Sequence, residues 1–226
     1  MQKNQIAIVF DLDGTLADTA PDLLASLNHA VRDHGFGQFT LSEVGALVGQ
    51  GSLAMIRRAF SLHETPLEEE LLMRLHHEFL DHYEANIAVG SRLYPGVETL
   101  LDRLSAAGHP LAVCTNKYES MACLLLDRLG VANRFAAVTG GDTFAFRKPD
   151  PRHLVETIAM AGAATGIMVG DTITDATAAK NAAKPLILVD FGYSAEPVAA
   201  MGADAVLSHF DEAWDAIGTI TREWPR

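Results

Sequence analysis

The sequence predicts an α/β protein, a doubly wound parallel sheet interrupted by an inserted block of helices. Three observations support this class. The chain opens with a short apolar strand, a long middle segment carries helical periodicity without any strand pattern, and short apolar runs then alternate with helical patterns to the end. Such alternation is typical of parallel sheets that are covered by helices on both faces.

The first predicted strand is IAIVF, residues 6–10, and it runs directly into Asp11 and Asp13. Side chains two positions apart on an extended chain point to the same side, so both carboxylates would crowd one small volume. That repulsion is unfavourable unless a cation offsets it or one carboxyl keeps its proton. The end of this strand is therefore a candidate site.

The segment between about residues 20 and 90 predicts roughly four helices, because its apolar residues recur three and four positions apart. Two capping boxes are predicted within it. Thr40 with Glu43 would form one, and Thr65 with Glu68 would form the other. No part of the segment shows the alternation that is typical of a strand.

From Tyr94 onward, predicted helices and strands alternate. The predicted strands lie at 109–114, 135–139, 166–169, 186–190 and near 204–207. The predicted helices lie at 96–107, 118–129, 151–161 and 174–183, with one more at the end of the chain. We therefore expect residues 1–18 and 91–226 to form the α/β domain and residues 19–90 to be an insertion in it. In open sheets of this kind the ligand site lies at the carboxyl ends of the strands.

Charge and composition narrow the range of partners and compartments. The 226 residues carry 17 Lys and Arg against 29 Asp and Glu, a formal charge of −12 at pH 7. A surface of that sign repels phosphate backbones and anionic lipids, so we expect no nucleic-acid or membrane partner. The apolar runs are too short to span a bilayer and the start of the chain has no signal-peptide pattern, which predicts a cytoplasmic protein. Nothing in the sequence indicates an oligomeric state.

The cysteines and a group of histidines predict structural roles. Cys114 ends an apolar run and Cys123 falls within a predicted helix, so buried free thiols are expected rather than a disulfide. His76, His77 and His82 lie on a charged amphipathic helix, where a solvated face is a better interpretation than a metal site.

Polar residues follow every predicted strand whose end could face the crevice. They are Asp11 and Asp13; Thr115, Asn116 and Lys117; Gly140, Gly141 and Asp142, with Lys148 in the RKPDP loop beyond; and Gly170, Asp171 and Asp175. Several carboxylates without histidine or cysteine form a hard oxygen site, which suits Mg²⁺ better than Zn²⁺. A lysine, a small hydroxyl and an amide are groups that hold phosphoryl oxygens.

The same set of groups supports a chemical mechanism. An aspartate can attack phosphorus to form an acyl phosphate. A second carboxyl beside it can protonate the leaving oxygen and later deprotonate a water molecule. Asp11 and Asp13 would form this pair, with Asp13 keeping and passing the proton. Asp175 has a second possible role, as the N-terminal acid of the helix predicted at 174–183.

The segments DLDGTLADT, TNK, the lysine of RKPDP and GDTITD, in this order, resemble the four motifs of the haloacid dehalogenase-like hydrolases. The resemblance covers essentially the whole chain. It implies Asp11 as the nucleophile and Asp13 as the general acid and base. It also implies that Thr115 and Asn116 contact the phosphoryl oxygens, while Lys148 balances the charge on the nucleophile and the phosphate.

A metal site and a cap domain also follow from this resemblance. It implies Mg²⁺ held by Asp11, by the main-chain carbonyl of Asp13 and by Asp171. Asp175 would be either a further ligand or a neighbour that orients the ligands. The helical block at residues 19–90 would be the cap of an α/β core of the Rossmann-like type.

Further segments resemble the phosphoglycolate phosphatases within that family. They are LVGQGSLAMIRRAF, SRLYPGVETLLDRLSAAG, VTGGDTFAFRKPDP and DFGYS. This resemblance implies 2-phosphoglycolate as the substrate, and it implies Gly49, Gln50 and Gly51 as a cap loop that reaches the leaving group. The chain departs from these relatives at Ala183, where glycine usually ends the helix after the fourth motif, and at Thr172, where serine is usual.

Other functions stay open at this point. A nucleotidase, a pyrophosphatase, or a sugar phosphatase or mutase could use the same core, because the cap would select the leaving group. A receiver-type domain also has a phospho-accepting aspartate, a lysine and Mg²⁺, but it lacks both an acid two residues after the acceptor and a helical insertion. Phosphonate cleavage through a cap lysine is excluded, since no lysine occurs between Lys3 and Lys117.

Overall fold

The computed structural model describes residues 5–48 and 51–223. The chain divides into two compact units. One unit combines the chain before Thr19 with the chain after Arg92, and the other unit spans Thr19–Arg92. We refer to them below as the α/β unit and the helical unit.

The strands of the described residues form two sheets. They are β1 (Ile6–Phe10), β2 (Ala17–Asp18), β3 (Arg92–Leu93), β4 (Leu111–Cys114), β5 (Ala137–Thr139), β6 (Thr165–Gly170), β7 (Leu186–Val189) and β8 (Ala205–Leu207). In this part of the chain, six of them pair in parallel in the order β5-β4-β1-β6-β7-β8. The two-residue strands β2 and β3, which have no counterpart among the predicted strands, form the second sheet.

The helices divide between the two units. They are α1 (Ala20–Val31), α2 (Val44–Leu47), α3 (Ser52–Leu62), α4 (Glu69–Ala85), α5 (Val97–Ala106), α6 (Glu119–Arg128), α7 (Pro151–Met160), α8 (Ile173–Asn181) and α9 (Ala213–Glu223). The first four belong to the helical unit, and α5 to α8 each contact strands of the large sheet. The predicted fold class is confirmed, and the elements predicted beyond Tyr94 agree with the structure to within two residues at each end.

Strand β1 lies in the middle of the sheet and is completely buried from Ala7 to Phe10. Its last residue, Phe10, is opposite Val113 of β4 on one side and Val169 of β6 on the other. Because the three strands run in the same direction, the segments that follow them emerge at the same edge of the sheet. Apolar strand residues therefore position three polar loops next to one another.

The helical unit is built around α4, which packs along α1 and α3. Apolar residues spaced three and four apart on these helices form its core. The completely or almost completely buried side chains include Leu27, Ile56, Phe60, Leu72 and Phe79. Among the described residues, no helix combines the length and the apolar character needed to cross a membrane.

One of the two predicted capping boxes is present. Glu43 accepts a hydrogen bond from the main-chain N–H of Thr40 at 2.8 Å, and the box begins a short 3₁₀ turn, so this prediction is confirmed. The box predicted for Thr65 and Glu68 is wrong, because α4 begins only at Glu69 and the Thr65 hydroxyl donates to the carbonyl of His63. Acidic residues in the first turn of α4 stabilise its N-terminus instead.

The histidines of α4 are not all on a solvated face. His77 is exposed, as predicted, but His76 is buried, so for His76 the prediction is wrong. Its Nε2 lies 2.9 Å from the hydroxyl oxygen of Ser52 on α3, which gives the buried ring a polar partner. Burial, together with the charge of His77, lowers the pKa of His76, and a neutral ring suits this position.

Both cysteines are free thiols. Cys114 is buried, as predicted, and burial raises its pKa to about 11. Cys123 is exposed, so the prediction of a buried thiol is wrong there. The reason is the phase of α6, whose buried face is formed by residues on either side of Cys123, among them Ala122 and Leu126.

An aspartate in the helical unit ties together segments that are far apart in the sequence. Asp22, in the first turn of α1, is buried and accepts hydrogen bonds from the main-chain N–H groups of Gly90 and Ser91, both at 2.8 Å. The Ser91 hydroxyl donates to the same carboxylate at 2.6 Å. The start and the end of the helical unit are therefore joined through one carboxylate.

Candidate active site

The candidate site lies at the carboxyl end of β1. The main-chain N–H of Asp11 still donates to Val169 of β6 at 2.9 Å, which extends the strand pairing by one residue. Beyond it the chain turns, because the N–H groups of Leu16 and Ala17 both donate to the carbonyl of Leu12 at 3.0 Å. Strand pairing thus fixes Asp11, and a tight turn follows immediately.

Lys148 brings a buried positive charge to Asp11. Its Nζ lies 3.0 Å from Oδ1 of Asp11 and donates to Oδ1 of Asp175 at 2.6 Å. The lysine side chain is 1% exposed. Burial alone would lower the pKa of Lys148, but the charges of Asp11 and Asp175 raise it well above its ordinary value. This ammonium is therefore permanently charged and shared between two carboxylates.

The peptide of Lys148 is held from both sides. Its N–H donates to Nδ1 of His153 at 3.2 Å, and its carbonyl accepts a hydrogen bond from Nδ2 of Asn116 at 2.9 Å. Burial, together with the charge of Lys148, lowers the pKa of His153 to about 4, so its neutral ring can accept at Nδ1. Asp150 accepts from the N–H of Arg152 and caps α7 just beyond the loop.

Asp171, at the end of β6, is buried and well supplied with donors. The Thr15 hydroxyl donates to one carboxylate oxygen and the N–H of Tyr193 donates to the other, both at 2.8 Å. The loops fit closely around this carboxylate, since a Cβ on Gly14 or on Gly192 would lie 2.5 Å from Oδ2 of Asp171. Burial first, and then the charges of the neighbouring acids, raise the pKa of Asp171 well above its ordinary range.

Asp175 has the helix-capping role that the sequence left open for it. Its Oδ2 accepts hydrogen bonds from the hydroxyl and the N–H of Thr172, at 2.8 and 3.1 Å, which completes a capping box at the start of α8. The same oxygen lies 3.3 Å from the N–H of Asp171. Its Oδ1 accepts the hydrogen bond from Nζ of Lys148, so both oxygens of this carboxylate have donors.

The acids at this edge fit a divalent cation. Asp11, Asp171 and Asp175 each offer a carboxylate oxygen, and these atoms lie within 4.8 Å of one another. Three carboxylates against the one ammonium of Lys148 leave two negative charges, the amount that a divalent cation neutralises. Burial first, and then neighbouring acids, raise the pKa of Asp11 to about 6 in spite of Lys148. An all-oxygen donor set of this kind suits Mg²⁺.

Asp13 has a lysine of its own. Nζ of Lys117 donates to both carboxylate oxygens of Asp13, at 2.8 and 2.9 Å. The Lys117 side chain is 6% exposed and the Asp13 side chain 20% exposed. The repulsion expected between Asp11 and Asp13 is thus offset by two cations, one on each aspartate.

The remaining predicted residues lie in different places. Thr115 is buried directly after β4, and Asn116 follows it with its amide on the Lys148 carbonyl. Gly49 and Gln50 lie outside the described residues. Gly51 precedes the first residue of α3 in the helical unit, with a positive φ of 88°.

Several contacts at the site were not predicted from the sequence. Lys117 was named among the strand-end residues and in the TNK run, but its contact with Asp13 was not predicted. Thr15 and Tyr193 donate to Asp171, but they lie far from it along the chain, and no spacing connects them to it. His153 follows the RKPDP loop, and its contact with the Lys148 peptide depends on the turn into α7.

Comparison with known sequences identifies the relatives of this chain. The family described as haloacid dehalogenase-like hydrolase matches residues 8–189. A phosphoglycolate phosphatase from Agrobacterium fabrum is 51% identical over 204 residues, which are 89% of this chain and 88% of that protein. Another from Mesorhizobium japonicum is 50% identical over 214 residues, 90% of this chain and 91% of that protein.

Comparison with solved structures gives the same result for the fold. The crystal structure of a predicted phosphoglycolate phosphatase from Haemophilus somnus is similar with a TM-score of 0.87 and 29% sequence identity. The similarity covers 96% of this chain and 100% of that one.

Proposed function

The chain belongs to the haloacid dehalogenase-like hydrolases, and on that premise we propose that it hydrolyses 2-phosphoglycolate to glycolate and phosphate with the help of Mg²⁺. The enzyme class predicted from the sequence, a phosphoric monoester hydrolase, is confirmed by its relatives. The proposed substrate is supported by the two relatives at about half identity that carry this activity in their names. A receiver-type domain is not supported, since the chain is a member of a hydrolase family.

The environment of Asp11 carries the proposal. Its carboxylate lies at the end of a central strand, 3.0 Å from a buried ammonium, and a second carboxyl follows two residues later on the same turn. A nucleophile requires a fixed position, and strand pairing through Val169 supplies it for Asp11. A buried acid with an unbalanced negative neighbourhood is also a common sign of a functional site.

In the first step, a carboxylate oxygen of Asp11 attacks the phosphorus of the ester. The bond between phosphorus and the ester oxygen breaks, and the carboxyl group of Asp13 donates a proton to the departing oxygen. The alcohol leaves as glycolate, and the phosphoryl group stays on Asp11. Lys148 and the hydroxyl of Thr115 stabilise the charge on the transferring oxygens.

In the second step, water replaces the carboxylate on phosphorus. Asp13, which is now ionised, accepts a proton from the water, and the water oxygen attacks the phosphorus of the aspartyl phosphate. The acyl–phosphate bond breaks, which restores the carboxylate of Asp11 and releases inorganic phosphate. Each aspartate thus acts twice, and both return to their starting states.

The proposed ligands of Mg²⁺ are Asp11, the main-chain carbonyl of Asp13, and Asp171. When bound, the ion would neutralise the excess negative charge at this edge of the sheet and allow an anionic phosphate to approach. Asp175 would act chiefly through Lys148 and Asp171, since both of its oxygens already accept hydrogen bonds. The close approach of the Asp11 and Asp171 carboxylates supports two of these ligands, and the Asp13 carbonyl follows from the family resemblance.

We assign the helical unit, Thr19–Arg92, to the cap that family membership implies. In this proposal the loop Gly49–Gln50–Gly51 selects the leaving group. The support is the sequence LVGQGSLAMIRRAF, which resembles the corresponding segment of phosphoglycolate phosphatases.

A panel of small phosphate monoesters tests the proposal. Phosphate release would be measured for the wild type and for Asp11→Asn, with Mg²⁺ and with a chelator. We expect 2-phosphoglycolate to give the highest kcat/KM, chelation to abolish turnover, and Asp11→Asn to lose about 10⁴-fold or more. Equal rates on nucleotides, on sugar phosphates and on pyrophosphate, added for comparison, would contradict the assigned substrate. Rapid turnover by Asp11→Asn would contradict the mechanism.

A further inference from the structure

The ion pair between Lys117 and Asp13 has no part in the mechanism described above. Lys117 immediately follows Thr115 and Asn116 at the end of β4, the strand that neighbours β1. Its ammonium contacts both oxygens of the Asp13 carboxylate and is almost completely buried. A buried lysine must be matched by negative charge, and Asp13 no longer supplies that charge when it carries the proton for the proposed first step.

The substrate brings more negative charge than the phosphoryl site can balance. 2-Phosphoglycolate carries a carboxylate in addition to its phosphate, and the protein as a whole has a formal charge of −12. A local cation is therefore needed for the second anion. Lys148 is already shared by Asp11 and Asp175, with its Nζ within 3.0 Å of both.

Lys117 lies within reach of that second anion. A general acid acts within about 3.2 Å of the oxygen that it protonates. Since Nζ of Lys117 is 2.8 Å from Oδ1 of Asp13, it lies at most about 6 Å from the leaving oxygen. The carboxylate of 2-phosphoglycolate is attached to the carbon that bears this oxygen. An ammonium has three N–H donors, so its contacts can be shared between Asp13 and a substrate carboxylate.

We infer that Lys117 binds the carboxylate of the substrate and is a specificity-determining residue for phosphorylated hydroxy acids. The inference rests on the proposed function, because it assumes that Asp13 protonates the leaving oxygen. It also explains how a single lysine can serve recognition and chemistry together. The ammonium that recognises the substrate's carboxylate also holds the group that acts on the adjacent oxygen.

Two substrates that differ only in the carboxylate test this inference. They are 2-phosphoglycolate and ethyl phosphate, in which a methyl group replaces the carboxylate. In Lys117→Met with Mg²⁺, we expect the ratio of kcat/KM for 2-phosphoglycolate to that for ethyl phosphate to fall by about 10- to 100-fold, the usual range for a lost charged hydrogen bond. Lys117→Arg, which keeps the charge, should retain most of the wild-type ratio.

Lys184→Met is the matched control, because it removes the same charge elsewhere in the α/β unit. Nζ of Lys184 donates to Thr165 at the opposite, amino end of β6, and the variant should keep the wild-type ratio. If Lys117→Met does not fold, as judged by circular dichroism, Lys117→Gln and Lys117→Arg give the same comparison of a neutral with a charged side chain.

The possible outcomes separate the two levels of the proposal. If Lys117→Met slows both substrates equally, Lys117 only positions Asp13 and the inference is overturned. If the wild type itself shows no preference for 2-phosphoglycolate over ethyl phosphate, the proposed substrate is wrong and the inference is rejected with it. A selective loss of kcat/KM for 2-phosphoglycolate in Lys117→Met, with the wild-type ratio kept in Lys184→Met, supports both the proposed substrate and the role of Lys117.

Discussion

The two units of the molecule both bury aspartates, and they do so with opposite results. In the helical unit, Asp22 accepts three hydrogen bonds from Gly90 and Ser91, and these groups hold the unit together. In the α/β unit, Asp171 also accepts hydrogen bonds, yet its pKa is raised well above the ordinary range by burial and by the nearby acids. Burial of a carboxylate is therefore not a functional signal in itself. The functional signal is a local excess of carboxylates over cations.

The largest effect on stability should come from Asp22, whose two carboxylate oxygens both accept hydrogen bonds. Asp22→Ala leaves the N–H and the hydroxyl of buried Ser91, and the N–H of half-buried Gly90, without this acceptor. We therefore expect a loss of about 4 kcal/mol in the free energy of unfolding. Asp33→Ala is the control, because the Asp33 side chain is 83% exposed and its loss should cost less than about 0.5 kcal/mol. Calorimetry would measure the stability of both variants, and similar melting temperatures would contradict the structural role of Asp22.

Asp11, which lies where carboxylates outnumber cations, should have the opposite effect on stability. The pKa of Asp11 is raised to about 6, so the folded protein binds a proton more tightly than the unfolded chain does. In chelator, Asp11 therefore makes stability fall as pH rises from about 4 to about 6. Asp11→Asn removes this cost, and we expect the variant to be about 3 kcal/mol more stable than the wild type at pH 8 and equal to it near pH 4.

The difference in stability between the wild type and Asp11→Asn separates the titration of Asp11 from that of His153. The pKa of His153 is lowered to about 4, so His153 makes the fold less stable as pH falls from about 6.5 to about 4. That contribution is present in both proteins and cancels in the difference. Urea unfolding at several pH values provides the measurement, and a difference that does not depend on pH would show that the acids are balanced without a cation.

A divalent cation should offset most of this cost in the wild type. At a Mg²⁺ concentration of 100 times the Kd, we expect the wild type to gain about 2.7 kcal/mol, or about 5–10 °C in Tm. Asp171→Asn fits the same space, because the Thr15 hydroxyl can accept as well as donate, but it should lose most of this gain. An equal rise in Tm for Asp171→Asn would place the metal elsewhere, and no rise for the wild type would contradict a Mg²⁺ site.

The smallest effect concerns backbone strain, which occurs at one non-glycine residue in the described part of each unit. Ala183, after α8, and Glu64, after α3, have φ values of 50° and 48°, a conformation that favours glycine. Ala183→Gly and Glu64→Gly should each add about 0.5–1 kcal/mol to the stability. Melting temperatures would test this, and a decrease in either variant would show that the side chain contributes more than the strain costs.

Much of the fold could be predicted from the sequence, because it depends on local patterns. The apolar runs that became β1, β4 and β6 and the polar residues after them were readable as periodicity and turn chemistry. Ala183 was recognised as a departure from the usual glycine, and the structure places it at a positive φ. Parallel pairing then brings strand ends together without any further information.

The contacts that were not predicted join residues far apart in the chain. Lys117 meets Asp13 only because β4 neighbours β1, and Ser91 meets Asp22 across the whole helical unit. Periodicity does not specify such pairs, and a lysine at a strand end has many possible partners. The capping box predicted at Thr65 was wrong for a related reason, since its sequence pattern is short and α4 begins later.

The central claim is that the phosphoryl group passes through Asp11, and rapid quenching during turnover tests it most directly. Asp13→Asn should slow the attack by water, so that mass spectrometry of the quenched protein finds one added phosphoryl group on the peptide that contains Asp11. Asp11→Asn should show none. If the wild type and Asp13→Asn both release phosphate from 2-phosphoglycolate while this peptide stays unmodified, the mechanism proposed for the site is wrong.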